Sequence, residues 1–266
     1  MILQSDFDIG FEIEGIALES NYYNIKKVAE KYGLLFLTGD TSIKEDENII
    51  ELSYSEYNGI EYEEKIIPFE LNMKPFGVSP KSLIKTYEYF KELYYEGLIT
   101  NDTCSLHLHI KLKNNKLNSK KSFNHAAMML AYLYETGDYK KLLAFNNQKM
   151  SHAFWANEKD MEEQYNKLKN NFMNNNFIDC SRNIKRGIFY AHPQGTLEWR
   201  GPRKLLDLNT IAFCNNKSID EENRLYKFVK YIFSVIPLLQ NAYNNSNKNI
   251  NKDSLYMNLY NYNKRV

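Results

Sequence analysis

The chain has 266 residues, 43% of them hydrophobic and 25% charged, proportions of a folded globular protein that exclude a wholly disordered, collagen-like or fibrous chain. Its 34 basic and 33 acidic side chains leave a net charge of +1, so no global excess of charge points to nucleic acid or to an acidic membrane. Three scattered cysteines, Cys104, Cys180 and Cys214, fit neither a disulfide framework nor a paired CxxC zinc site, and no apolar run reaches the roughly 18 to 20 residues of a membrane span. The acidic start MILQSDFDIGFEIEG does not resemble a basic, apolar leader, which makes the cytoplasm the expected location. The expected organisation is one α+β domain over 1–245 with a helical insertion at about 146–187, followed by a polar tail at 246–266.

From Asp6 to Glu14 the residues alternate, with Phe7, Ile9, Phe11 and Ile13 opposite Asp8, Gly10, Glu12 and Glu14, the period of a half-buried strand. Ile25 to Tyr32 reads as a short helix closed by Gly33, and LLFL as a second strand running into a Gly-Asp turn. IIPFELNMKPF gives a further strand, with Glu70 and Asn72 on one side and Phe69 and Leu71 on the other. Ser79 as N-cap and Pro80 at the first helical position open a helix that carries Leu83, Tyr87, Phe90 and Tyr94 at helical spacing and stops at Gly97. CSLHLHIKL alternates again, placing His107 and His109 opposite Leu106, Leu108 and Ile110.

A helical pattern from Ser122 to Glu135 is broken by Gly137-Asp138, and a second short helix follows to Phe145. The 146–187 segment is polar and Asn-rich, but Met161, Tyr165, Leu168 and Phe172 share one helical stripe, so it reads as a helical insertion or lid. GIFYAHPQGTLEWRG reads as a strand, and Ser218-Ile-Asp-Glu221 as the capping box of a long helix to about Tyr243, with Pro237 as a kink. The polar tail is expected to dock weakly or fray.

Three strands share an unusual feature, an i,i+2 pair of ionisable residues opposite an apolar face: Glu12/Glu14, His107/His109 and Glu198/Arg200, with Glu70 adding a further carboxylate. A single E-x-E or H-x-H on a strand is usually a solvated face, since alternate polar residues are what a one-sided sheet demands. The ordered series is more specific. If the strands lie in one antiparallel sheet, four carboxylates and two imidazoles converge, an arrangement that calls for divalent cations. Hard oxygen donors with one or two nitrogens suit Mg²⁺ or Mn²⁺, and two ions rather than one. His125, His152 and His192 lack such partners and read as packing or surface residues.

FEIEG near the N-terminus, DTSIK at 40–44, FELNMKP at 69–75, CSLHLHI at 104–110 and TLEWRGPR at 196–203 resemble, in order, the motifs of the amidoligase family, carboxylate-amine ligases related to glutamine synthetase and glutamate-cysteine ligase. The resemblance implies an antiparallel sheet curved into a half-barrel, helices on its outer face, and ATP with two divalent ions on the concave polar face. It implies activation of a carboxylate as an acyl phosphate, then attack by an amine. On this resemblance Glu12, Glu14, Glu70, His107 and Glu198 are metal ligands, and His109 lies near nucleotide phosphate. Arg200 stabilises the transferred phosphoryl group, and Asp40 and Ser42 match a turn that contacts substrate or nucleotide. Thr41, Asn72 and Ser105 depart from the family pattern.

Phosphoryl transfer to a carboxylate brings anions together, so such a site needs positive charge and in-line positioning. Arg182, Arg186 and Arg203, with Lys185 and Lys204, flank the last strand; they read equally as phosphate contacts and as a solvated basic loop. No Walker-type phosphate loop occurs. Three readings follow: an ATP- and Mg²⁺-dependent ligase acting on a small-molecule or peptide carboxylate and an amine, a degenerate ligase-like scaffold that binds nucleotide or a partner, and another His/carboxylate metalloenzyme.

Overall fold

The computed structural model describes residues 7–38, 43, 49–50, 53–57, 60–101, 103–112, 119–143, 158–173, 189–192, 196–199, 219–244 and 253–265. In chain order the elements are β1 (Phe7–Leu18), α1 (Glu19–Tyr32), β2 (Leu35–Thr38), β3 (Tyr54–Tyr57), β4 (Ile60–Glu63), β5 (Ile66–Asn72), β6 (Phe76–Gly77), α2 (Pro80–Tyr95), β7 (Leu106–Leu112), α3 (Ser119–Thr136), α4 (Tyr139–Leu143), α5 (Glu158–Met173), β8 (Phe189–His192), β9 (Thr196–Trp199), α6 (Ile219–Asn244) and α7 (Leu255–Arg265). Six strands form one open, antiparallel sheet in the order β2-β5-β1-β7-β9-β8, to which the short β6 adds a pairing with β1, and β3 with β4 makes a separate hairpin. No described helix is long and apolar enough to cross a membrane.

The alternation of β1 decides the layering. Ile9, Phe11 and Ile13 join Phe69 and Leu71 of β5, Leu106, Leu108 and Ile110 of β7 and Trp199 of β9 in one buried cluster, which the helices complete from the same side. Phe11 packs edge-on against Phe90 of α2 at 5.3 Å. The α2 start agrees with its sequence signal: the Ser79 hydroxyl accepts from the Ser82 amide at 3.1 Å, and the Ser82 hydroxyl accepts from the Ser79 amide at 2.7 Å. Gly33 and Gly97 take the left-handed conformation that ends α1 and follows α2.

Several boundaries differ from the sequence reading. α1 begins at Glu19, directly from β1 and without a side-chain cap, so no capping residue marks its start. The final strand is two, β8 and β9, paired from Phe189↔Trp199 to His192↔Thr196; the intervening Pro193-Gln-Gly195 supplies breaker residues. The expected Gly39-Asp40 turn lies outside the described residues.

The tail also differs. Leu255, Tyr256 and Leu259 of α7 are buried in the main cluster. Glu135 at the end of α3 anchors it: one carboxylate oxygen accepts from the Leu255 amide at 2.8 Å and from the Tyr165 hydroxyl at 2.7 Å, the other from the Tyr256 amide at 3.3 Å. A carboxylate at a helix N-terminus satisfies amides that have no intrahelical partner and meets the positive end of the helix dipole. The same group ties in α5 through Tyr165, whose ring stacks on Tyr134 at 4.2 Å, so the described part of the 146–187 segment packs against α3.

α2 and α6 are joined at Glu222, which accepts from the hydroxyls of Tyr95 and Tyr87 and pairs with Lys91 at 2.9 Å. Partial burial works against its charge, but the hydrogen bonds from Tyr95 and Lys91 outweigh that and hold its pKa below the usual carboxylate value. A depressed folded-state pKa gives stability that is complete above the unfolded value of about 4.5 and is lost as pH falls through the folded one. Glu222→Gln is therefore expected to cost roughly 1–2 kcal/mol in urea unfolding at pH 7. The difference from the parent should shrink as pH drops below about 4.5; a difference that stays constant down to pH 3 would contradict the assignment.

Candidate functional site

The site is built by register. Because a one-residue slip would send every side chain of a strand to the opposite face, the buried row Ile9, Phe11, Ile13 fixes where Gly10, Glu12 and Glu14 point. Glu12 lies opposite Asn72 of β5 on one side and His107 of β7 on the other, Glu14 lies opposite Glu70, and His109 lies between Gly10 of β1 and Glu198 of β9. Six ionisable residues expected from sequence, Glu12, Glu14, Glu70, His107, His109 and Glu198, thus share one sheet face.

Glu12, Glu14 and Glu70 each offer a carboxylate oxygen, and the three lie within 4.8 Å of one another. Asn72 donates a side-chain hydrogen bond to Glu70 and so positions a cluster carboxylate. On the β7 side, Nδ1 of His107 lies 2.9 Å from one oxygen of Glu12 and 3.1 Å from Glu198, and Nε2 of His109 lies 2.9 Å from the other oxygen of Glu12. An ionised carboxylate only accepts, so these ring nitrogens carry the protons. Burial opposes ionisation of Glu12, but the hydrogen bonds and charge of His107 and His109 prevail and hold its carboxyl far below the usual range. Glu14, His107 and Glu198 are buried, at 7%, 6% and 1% exposure.

These donors suit a divalent ion. Two imidazoles carry at most two positive charges against the carboxylates of Glu12, Glu14, Glu70 and Glu198. Repulsion between ionised carboxylates about 4 Å apart is of the order of 4 kcal/mol at the effective dielectric of a protein surface. A hard cation among the oxygens relieves it, and the oxygen-rich set fits Mg²⁺ or Mn²⁺ better than zinc. Two groupings share Glu12: the three-carboxylate cluster, and Glu12 with His107 and Glu198.

The polar strip is bounded at both ends. Beyond Glu14 the same face of β1 becomes apolar, and Ile16 and Leu18 are buried with Ile43, Ile49, Ile99 and Cys104 in a second, smaller cluster. At the other end β1 pairs with β5 at Glu12↔Asn72 and with β6 at Ile9↔Phe76, so 73–75 oppose only 10–11 and form a bulge. The Met73 carbonyl there comes within 2.7 Å of where a Cβ on Gly10 would sit, which requires glycine at this position of the strand.

Arg200, Arg182, Arg186, Arg203, Asp40 and Ser42 lie outside the described residues. Two residues of the face are additions to the sequence-based set. Asn72 is one. Lys111 is the other, the third polar position of β7 after His107 and His109, opposite Asp8 and exposed; the alternation that marked the histidines also marks it.

Chelator-treated protein is expected to bind Mn²⁺ in a paramagnetic-resonance titration, and Glu14→Gln or Glu70→Gln should each weaken binding by at least about tenfold. Unchanged affinity in both variants would contradict the ligand set. No protein-family model, no curated protein and no solved structure matches the chain, so the reading of this site rests on its own residues.

Proposed function

We propose that the protein is an ATP- and divalent-metal-dependent carboxylate-amine ligase of the amidoligase type, with its sheet in the role of the glutamine-synthetase-like half-barrel. The observation that carries this reading is the convergence, from β1, β5, β7 and β9, of Glu12, Glu14, Glu70, His107, His109 and Glu198 on one face, with three of the carboxylates within 4.8 Å. The order of these residues along the chain is that of the family motifs.

In this reading Glu12, Glu14 and Glu70 would hold one ion, and Glu12, Glu198 and His107, its Nδ1 proton released on binding, would hold a second. The ions supply positive charge that lets the ATP phosphates and the acceptor carboxylate approach each other. His109 holds Glu12 ionised and oriented through its hydrogen bond at 2.9 Å, and its neighbourhood faces the nucleotide phosphates. Arg200, two residues beyond Glu198, is assigned to the transferred phosphoryl group, with Arg182, Arg186 and Arg203 as further phosphate contacts and Asp40 and Ser42 at the substrate. Buried carboxylates beside the apolar cluster of Ile16 and Leu18 place charge in a poorly solvated setting, where electrostatic positioning acts most strongly.

The test is Mg²⁺-dependent ADP release across a panel of carboxylates paired with amines. Turnover is expected with a matched pair, and Glu14→Gln and Glu198→Gln should each abolish it. Undiminished turnover in both variants would overturn the metal assignment. ATP binding without turnover in any pairing would favour a nucleotide-binding scaffold instead.

A further inference from the structure

β2 is apolar on both of its faces, and burial accounts for only one of them. Phe36 turns toward the core, opposite Leu71 and stacked on Phe69 at 5.1 Å. Leu35 and Leu37 turn the other way. Leu37 lies opposite Glu70 and Leu35 opposite Asn72, so both leucines belong to the face that carries the carboxylates, with Leu35 59% and Leu37 42% exposed. Two rows of the sheet therefore end on leucine: Leu37, Glu70, Glu14 in one, and Leu35, Asn72, Glu12, His107 in the other.

Single exposed apolar residues are ordinary, but this pair is not scattered. Directly opposed residues of antiparallel strands have Cβ atoms about 4.5–5.5 Å apart, which puts Leu37 next to a cluster carboxylate. Among the described residues β2 pairs only with β5 and is a sheet edge. An edge strand is ordinarily protected by charged or polar side chains, and leucines there carry an association hazard. The smaller apolar cluster that begins one row beyond Glu14, at Ile16, does not include Leu35 or Leu37, which stay exposed.

We infer that Leu35 and Leu37 form the apolar wall of the site, and that the carboxylate it takes carries an aliphatic or other apolar group immediately behind its carboxyl. The inference rests on the metal-dependent reading above and narrows its substrate class. A carboxyl group drawn to an ion held by Glu12, Glu14 and Glu70 has the rest of its molecule within reach of Leu37. An apolar chain laid there removes both leucines from water, whereas a small polar amine or a phosphate chain gains nothing from them.

The experiment has two readings, taken in sequence on the full chain. Mn²⁺ binding is measured first. Calorimetry then follows acetate, butanoate, hexanoate and octanoate binding to the Mn²⁺-loaded protein. Affinity should rise about fourfold for each methylene that reaches the wall, and at least about tenfold from acetate to hexanoate. In Leu35→Ser/Leu37→Ser the rise should vanish while Mn²⁺ affinity is kept, which also shows that the variant folds. Bound Mn²⁺ with a flat series, or a series equally steep in the double variant, overturns the wall alone. Absence of Mn²⁺ binding overturns the ligase reading and, with it, the wall. Loss of ATP affinity in the double variant with a flat carboxylate series assigns the leucines to the nucleotide and overturns the inference.

Discussion

Burying Ile9, Phe11 and Ile13 beneath the helices leaves Glu12 and Glu14 no direction but the opposite face of the sheet. The neighbouring strands obey the same constraint, with Leu71 and Phe69 on β5, Leu106 and Leu108 on β7 and Trp199 on β9 held in the core. Their intervening residues are Glu70 and Asn72, His107, and Glu198. The site is thus the reverse side of the hydrophobic core, and its geometry is held by packing energy rather than by attraction among its own groups. Any change that loosened the register would move carboxylates and histidines together.

That support matters because the groups themselves are costly to assemble. Ionised carboxylates repel one another in a small volume, and the two imidazoles answer only part of that demand from the β7 side, His109 through Glu12 and His107 through Glu12 and Glu198. Glu12 is consequently the junction of the site, in contact with His107 and His109 and within the three-carboxylate cluster. Helix α7, clamped by Glu135, and the α2–α6 contact at Glu222 stiffen the helical layer behind the sheet. Charge is handled in both layers by the same means, a carboxylate surrounded by donors.

Much of this was legible in the residues. β7, β1 as far as Glu14 and β5 from Phe69 to Asn72 alternate, and α2 carries Ser-Pro at its start and glycine just past its end, so period and cap agree. The six ionisable residues of the face followed from that alternation alone. What was missed has physical causes. The sequence between β3 and β4, Asn58-Gly59, is a strong turn signal, but each strand is only four residues long, too short for its alternation to stand out. α7 hides within an Asn-rich tail because its stability comes from Glu135, 120 residues away from Leu255. The sequence marks LLFL as a strand but nothing local tells an edge strand from a central one, so the exposure of Leu35 and Leu37 was not legible, and the role of Asn72 depends on which carboxylate is beside it.

A divalent ion held by the oxygens of Glu12, Glu14 and Glu70 should be visible by anomalous diffraction from crystals grown with Mn²⁺. The expected result is a peak within coordination distance of all three carboxylates, about 2.0–2.6 Å from their oxygens. A fully occupied Mn²⁺ elsewhere in the molecule, with no anomalous density among these three side chains, would contradict it.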